Sequence, residues 1–107
     1  KYLGSYQVSE SCTTSFQGLQ NQQFSASINP GNRLDIITIN NFAGRGLPVD
    51  VTIVSGNYLA ITSQTSGSIQ ISGGEGDYEA FANRIVFEYN YNVSGNAHSC
   101  TAVYTKF

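Results

Sequence analysis

The stretch LGSYQVSESC, residues 3–12, decides the fold, because polar and apolar side chains alternate along it and it ends in one of two cysteines. Such alternation is typical of a β-strand with one wet and one dry face. The second cysteine stands in SCTAVY, residues 99–104, near the other end of the chain. A disulfide between Cys12 and Cys100 would place the first and last strands side by side.

An antiparallel register that sets Cys12 opposite Cys100 makes further predictions. Val8 then faces Tyr104, and Tyr6 faces Lys106. The inner face of this strand pair is predicted to carry Tyr6, Val8, Cys12, Cys100, Ala102 and Tyr104. A cross-link closing so long a loop stabilises the fold by about 4 to 5 kcal/mol in the chain-entropy model. Two buried free thiols remain the alternative, and the absence of a C-x-x-C motif argues against zinc or thioredoxin-like chemistry.

Eight strand-like segments follow one another along the chain. They are read at Tyr2 to Thr13, Gln22 to Asn29, Arg33 to Phe42, Leu47 to Val54, Tyr58 to Gln64, Gly67 to Ser72, Asn83 to Val93 and Ser99 to Phe107. The connections between them are too short for parallel crossovers, so neighbours are expected to pair antiparallel. We predict one all-β domain over residues 1–107, an eight-stranded meander that closes as a barrel. A flattened barrel and a two-sheet sandwich are the alternatives.

Period-two placement selects the residues expected inside the barrel. These are Phe24, Ala26, Ile28, Leu34, Ile36, Val49, Val51, Ile53, Leu59, Ile61, Ile69, Ile71, Ile85, Phe87, Tyr89, Tyr91 and Val93. Asp35, Asp50 and Glu88 fall on the polar face by the same pattern. With Glu10 they are the candidates for a paired-carboxylate glycosidase site, which the pattern disfavours.

Composition excludes several classes of function. The net charge is -2 and the five basic residues are scattered, so no nucleic-acid partner is expected. No apolar run is long enough for a membrane-spanning helix. Only 11% of the residues are charged, and neutral polar residues are abundant, which suits an exported protein. Because the chain opens at Lys1 without an initiator Met, we expect a mature protein or an excised domain.

Few residues offer chemistry. His98 is the single histidine and is expected at the surface, and no G-x-S-x-G motif accompanies the serines. The glycine-rich stretch 73–79 holds three of the seven acids and is read as a flexible connection, with a calcium loop as the less favoured alternative. We therefore predict no enzyme, no metal and no cofactor.

Three stretches, residues 3–12, 37–42 and 99–104, together resemble the small lipocalin-like domain of secreted bacterial proteins and lipoproteins, most of which have no assigned function. The resemblance implies an eight-stranded barrel, export, and binding more than catalysis. Gly4-Ser5-Tyr6 is similar to the glycine-x-tryptophan signature of classical lipocalins, with Tyr6 in place of tryptophan. Lys106 is then the candidate for the basic residue that packs across the ring.

The leading functional hypothesis is a non-enzymatic module that binds a small apolar or amphipathic molecule at one barrel mouth. The residues predicted to line that site are Phe24, Ile36, Val51, Phe87, Tyr89 and Tyr104. The alternative is a structural or adhesion module of a surface protein that contacts polysaccharide or protein. A monomer is expected, located in the periplasm, secreted, or at the cell surface as a lipid-anchored protein or as part of a larger exported protein. A cavity among the six residues favours the first hypothesis, and a filled interior the second.

Overall fold

The computed structural model describes residues 2–14 and 18–107. That part of the chain contains nine strands: β1 Gly4–Thr14, β2 Gly18–Pro30, β3 Ile36–Phe42, β4 Leu47–Ser55, β5 Tyr58–Ile61, β6 Gln64–Ser66, β7 Ile69–Glu79, β8 Arg84–Val93 and β9 Asn96–Lys106. One turn of 3-10 helix, Ala80–Ala82, joins β7 to β8. Over the described residues, no helix has the length and apolar character needed to cross a membrane.

The strands form a closed antiparallel barrel, as predicted. Neighbours follow the order β5-β4-β3-β2-β1-β9-β8-β7, and pairing of β5 with β7 closes the ring of eight strands. The short β6 is an extra strand that pairs with the first residues of β7. Its Gln64 side chain accepts a hydrogen bond from the Asp50 N–H (3.0 Å) and donates one to the Asp50 carbonyl (2.9 Å). The side-chain amide of β6 thus makes the two hydrogen bonds to β4 that the backbone of a paired strand would otherwise make.

The two ends of the chain lie side by side in the predicted register. Cys12 pairs with Cys100, Val8 with Tyr104 and Tyr6 with Lys106 along β1 and β9. The cysteines form a disulfide (S–S 2.02 Å), so the alternative of free thiols is wrong. All six residues predicted for the inner face of this strand pair are buried.

The glycine-rich stretch 73–79 is a strand and not the flexible connection that the sequence predicts. It is the second half of β7 and pairs with both β5 and β8. A Cβ on Gly74 would lie 2.7 Å from the Cβ of Tyr89, and one on Gly76 would lie 2.5 Å from the Phe87 ring. Gly76 therefore leaves room for the Phe87 ring, and Gly74 lets the β8 backbone at Glu88 and Tyr89 approach closely. Because these two core-facing positions carry no side chain, the stretch lacks apolar alternation.

Strand β3 is shifted by one residue from the predicted alternation. Ile37 and Ile39 are buried, whereas Leu34 is fully exposed and Ile36 is half-buried. Because Ile36 and Ile37 are consecutive, alternation alone does not show which of them faces the core. The turn before β3 decides which one does. The Gly31 N–H donates to the Ile36 carbonyl (2.9 Å), which keeps residues 31–35 out of the strand.

Candidate functional site

Four of the six residues predicted to line a ligand site pack inside the barrel. Val51, Phe87, Tyr89 and Tyr104 are each no more than 2% exposed. The Phe87 and Tyr104 rings meet edge to face with centroids 5.1 Å apart, and Tyr89 packs on Phe42 at 4.6 Å. At these contacts the protein fills its interior with its own side chains.

The other two predicted residues lie elsewhere. Phe24 is half-buried against the core and lies beside Gly44, since a Cβ at that glycine would be 3.1 Å from the Phe24 ring. Ile36 lines a cleft at the opposite end of the barrel. The six residues thus occupy three places: the filled core and one position near each barrel mouth.

Glu10 is the one buried acidic residue in the described part of the chain, with 1% of its surface exposed. Its Oε1 accepts a hydrogen bond from Gln22 Nε2 (2.6 Å), and its Oε2 accepts one from the Tyr89 hydroxyl. Gln22 Nε2 also donates to the Ala43 carbonyl at 3.0 Å, which fixes the amide above the carboxyl group. Each oxygen of the Glu10 side chain therefore faces a hydrogen-bond donor.

One barrel end carries the connections 31–35, 56–57 and 80–83 together with Tyr2 and Phe107, and we call it the apolar mouth. Tyr2 is buried there and donates its hydroxyl to the Gly56 carbonyl. Beside it lies a cleft of about 820 Å³. The cleft is lined by Tyr2, Leu3, Pro30, Gly31, Asn32, Arg33, Leu34, Ile36, Ile37, Ile53, Ser55 and Gly56.

Exposed apolar side chains are concentrated at the apolar mouth. Of the seven large exposed hydrophobic residues in the described chain, Leu19 alone belongs to the opposite end. The others are Leu3, Leu34, Val54, Tyr58, Phe81 and Phe107. The apolar mouth is therefore the more hydrophobic of the two ends of the described barrel.

The opposite end carries the connections 43–46 and 94–95, and we call it the polar mouth. A pocket of about 360 Å³ opens there, lined by Glu10, Cys12, Thr14, Gln20, Asn21, Gln22, Arg45 and His98. The Arg45 guanidinium lies 5.2 Å from the centroid of the Tyr91 ring, and its Nε donates to the Tyr91 hydroxyl at 3.4 Å. His98 stacks on the same ring, with centroids 4.6 Å apart and planes 3° from parallel.

Burial controls the ionisation of the inner tyrosines. It raises the pKa of Tyr89 and of Tyr104, and the Glu10 charge adds to the effect in both. Burial also raises the pKa of Tyr6 to about 12, with a smaller contribution from Tyr78. These phenols therefore stay protonated at neutral pH, so Tyr89 is a donor to Glu10. No described residue hydrogen bonds with the Tyr104 hydroxyl.

His98 is half-buried, and its ring lies in the wall of the polar pocket. Burial lowers the pKa of His98, the Arg45 charge lowers it further, and the Glu10 charge opposes them. The nearby Cys100 sulfur is bound in the disulfide.

The acids considered for catalysis point outward, which confirms that part of the prediction. Asp35, Asp50 and Glu88 are exposed. Asp35 pairs with Arg33 at 3.2 Å, and Asp50 accepts a hydrogen bond from Thr38 at 3.0 Å. Among the described acids, Glu10 is thus the one that reaches the interior. It continues the period-two alternation of Tyr6 and Val8, and this is the sequence signal that indicates an inward-facing side chain.

Comparison with protein-family models, with curated proteins and with solved structures finds no match for this chain. The features of the described chain that bear on its function are the two barrel mouths and the packed interior between them.

Proposed function

We propose that this protein is a non-enzymatic binding domain that holds a small apolar or amphipathic molecule in the cleft of the apolar mouth. The observation that carries the proposal is the cleft itself, about 820 Å³ and walled largely by Leu, Ile and Pro side chains. Its size is within the usual range for small-molecule sites.

The side chains of the cleft support an amphipathic occupant. Leu34, Ile36 and Ile53 offer apolar surface, and the fully exposed Leu34 loses the most contact with water when covered. Full burial of a leucine is worth about 1.5–3 kcal/mol. Arg33, Asn32 and Ser55 at the same cleft can accommodate a polar group. The occupant expected is a hydrocarbon or ring system with one polar end.

The lipocalin-like classification belongs to the same proposal. It is supported by the contact of Lys106 with Tyr6, where Nζ lies 5.9 Å from the ring centroid, as the resemblance implies. A small disulfide-bonded domain is compatible with export, and we propose a secreted, periplasmic or cell-surface location.

A second candidate function is a structural or adhesion module that contacts polysaccharide or protein. It is favoured by the filled interior, where Phe42 packs on Tyr89 and Phe87 packs on Tyr104. In this case the exposed apolar residues would form the contact surface and bind no small molecule. Retention on a polysaccharide gel, or association seen in sedimentation, would favour it over the cleft.

A titration with a fluorescent fatty acid tests the cleft. Leu34→Gln is expected to weaken binding about tenfold, since each 1.4 kcal/mol is a factor of ten. Leu19→Gln is the matched control, because it makes the same change to an exposed leucine at the opposite mouth. Equal affinities for the two variants, or no saturable binding by the native protein, would reject the apolar mouth as the site.

A further inference from the structure

The polar mouth presents a buried carboxylate with neutral partners. Glu10 receives hydrogen bonds from Gln22 and Tyr89, and no cationic nitrogen of the described chain lies within 4.0 Å of it. A buried ionised group is costly unless a charge of the opposite sign accompanies it. The two neutral donors satisfy the geometry of the carboxylate without neutralising its charge.

Glu10 belongs to the wall of the 360 Å³ pocket, and the exposed Gln22 side chain covers its Oε1, so a ligand reaches the carboxylate by displacing that amide. Gln22, Gln20 and Asn21 from β2 add amide groups to that wall. The Gln22 amide covers one carboxylate oxygen, and the remaining lone pairs of Glu10 can accept further donors. The pocket thus leads to an anionic group that is itself shielded from bulk water.

The same pocket also has a cationic residue in its wall. Arg45 is held against the Tyr91 ring, and His98 stacks on that ring. The pocket therefore has one acidic group, Glu10, and one permanent cation, Arg45, in the same wall. A ligand with charges of both signs complements this arrangement better than a simple anion or cation.

A metal ion suits the pocket less well. Glu10, Cys12 and Cys100 place ligand atoms within 4.8 Å of one another, but both sulfurs belong to the disulfide. Glu10 is then the one anionic ligand of this cluster, whereas calcium takes six to eight oxygens. An ammonium group needs fewer partners, since it can donate to Glu10 and to the amide oxygens nearby.

We propose that the polar mouth binds a small zwitterion of the amino-acid class. Its ammonium group lies against Glu10 and its carboxylate against Arg45. This site is separate from the cleft of the apolar mouth, so either proposal can fail without the other.

The test is a series of ω-amino carboxylates of increasing length, from glycine to 6-aminohexanoate, followed by amide chemical shifts in NMR titrations of the native protein. One length is expected to bind best and to shift residues around Gln22, Arg45 and His98. Hexanoate and hexylamine each lack one charge and are expected to bind about tenfold more weakly. Equal binding of hexanoate, or shifts confined to the region around Leu34, would overturn the proposal.

Three variants then separate the roles. Glu10→Gln is expected to weaken binding of the best amino acid about tenfold or more, while Glu88→Gln, an identical change on the outer face, leaves it unchanged. Arg45→Gln is expected to weaken binding of the amino acid but not of hexylamine. If Glu10→Gln does not fold, the comparison of the three ligands on the native protein still decides the proposal.

Discussion

The apolar and the polar mouth are built by the same eight strands, yet they expose opposite chemistry. At the apolar mouth, strands end in connections that display Leu34 and Phe81 to water. At the polar mouth, Arg45, His98 and the amides of β2 surround a buried carboxylate. Connections display the apolar residues of the first mouth, whereas the polar groups of the second lie mainly on β1, β2 and β9, with Arg45 supplied by a connection.

The packed core separates the two ends. Tyr104 contacts Tyr6 toward the apolar mouth and Phe87 beside it, while Tyr89 contacts Glu10 toward the polar mouth. An eight-stranded barrel is just wide enough for side chains to fill it. Two independent sites at the ends are therefore more compatible with this interior than one central cavity.

Removing the disulfide has the largest expected effect on this arrangement. Cys12→Ala combined with Cys100→Ala should lower the free energy of unfolding by about 4 to 5 kcal/mol in the chain-entropy model. The melting temperature should then fall by more than about 10 °C. Hydrogen exchange should rise first at the polar mouth, because Cys12 lies in the wall of its pocket.

The control is thermal unfolding of the native protein with and without a dithiol reductant, compared with the double variant. The variant should be insensitive to the reductant. Uniform exchange at both mouths would show that the cross-link stabilises the whole barrel equally and does not distinguish its ends.

The sequence predicts the closed barrel because two independent signals agree. The cysteine pair fixed the register of β1 and β9, and alternation assigned most of the inner residues. It does not predict the second half of β7, since Gly74 and Gly76 have no side chains to alternate, and their place is decided by the backbone of β8 and the Phe87 ring. The shift of β3 depends on the turn at residues 31–35, whose geometry local composition leaves undetermined.

The candidate sites were harder to predict than the barrel. Glu10 breaks the rule that inner positions are apolar, and Tyr89, which compensates for it, is far away in sequence. The cleft at the apolar mouth depends on how separate connections and Tyr2 meet in space. Neither relationship is visible in local alternation, whereas both follow once the register of the strands is known.

Removing the Tyr89 hydroxyl tests whether the polar mouth depends on Glu10. Tyr89→Phe should lower the free energy of unfolding by about 1.5–3 kcal/mol, because a charged acceptor loses a buried donor. Tyr104→Phe is the matched control. Its hydroxyl is buried without a hydrogen-bond partner among the described residues, so its removal should be neutral or stabilising.

Urea unfolding of both variants measures the difference directly. A Tyr104→Phe variant that loses as much stability as Tyr89→Phe would contradict the assigned hydrogen bonds. The core would then respond to loss of either hydroxyl through packing, and Glu10 would have no special role.

Adding a methyl group at Gly31 tests the shape of the apolar mouth. A Cβ there would lie 2.5 Å from Ile36 Cγ2 and 2.7 Å from the Ile36 carbonyl oxygen. Gly31→Ala should therefore cost about 1–3 kcal/mol of stability and weaken fatty-acid binding. Gly56→Ala is the control at the same mouth, because its Cβ would meet open space. Thermal unfolding and the fluorescence titration distinguish the two variants, and equal behaviour would mean that the turn at 31–35 does not shape the cleft.

The smallest expected effect concerns the ionisation of His98. Because burial and Arg45 lower its pKa in the folded protein, the unfolded chain binds the proton more readily. The resulting contribution to stability is complete above the unfolded pKa of about 6.5 and is lost as pH falls toward the folded value. Arg45→Gln should raise the His98 pKa, and Glu10→Gln should lower it, as followed by NMR titration of the ring protons. Opposite responses to these two variants would demonstrate that both charges of the polar mouth act on one ring. If neither variant changes the His98 pKa, Arg45 and Glu10 do not both act on the space beside His98. A zwitterionic ligand would then gain no affinity from contacting both residues.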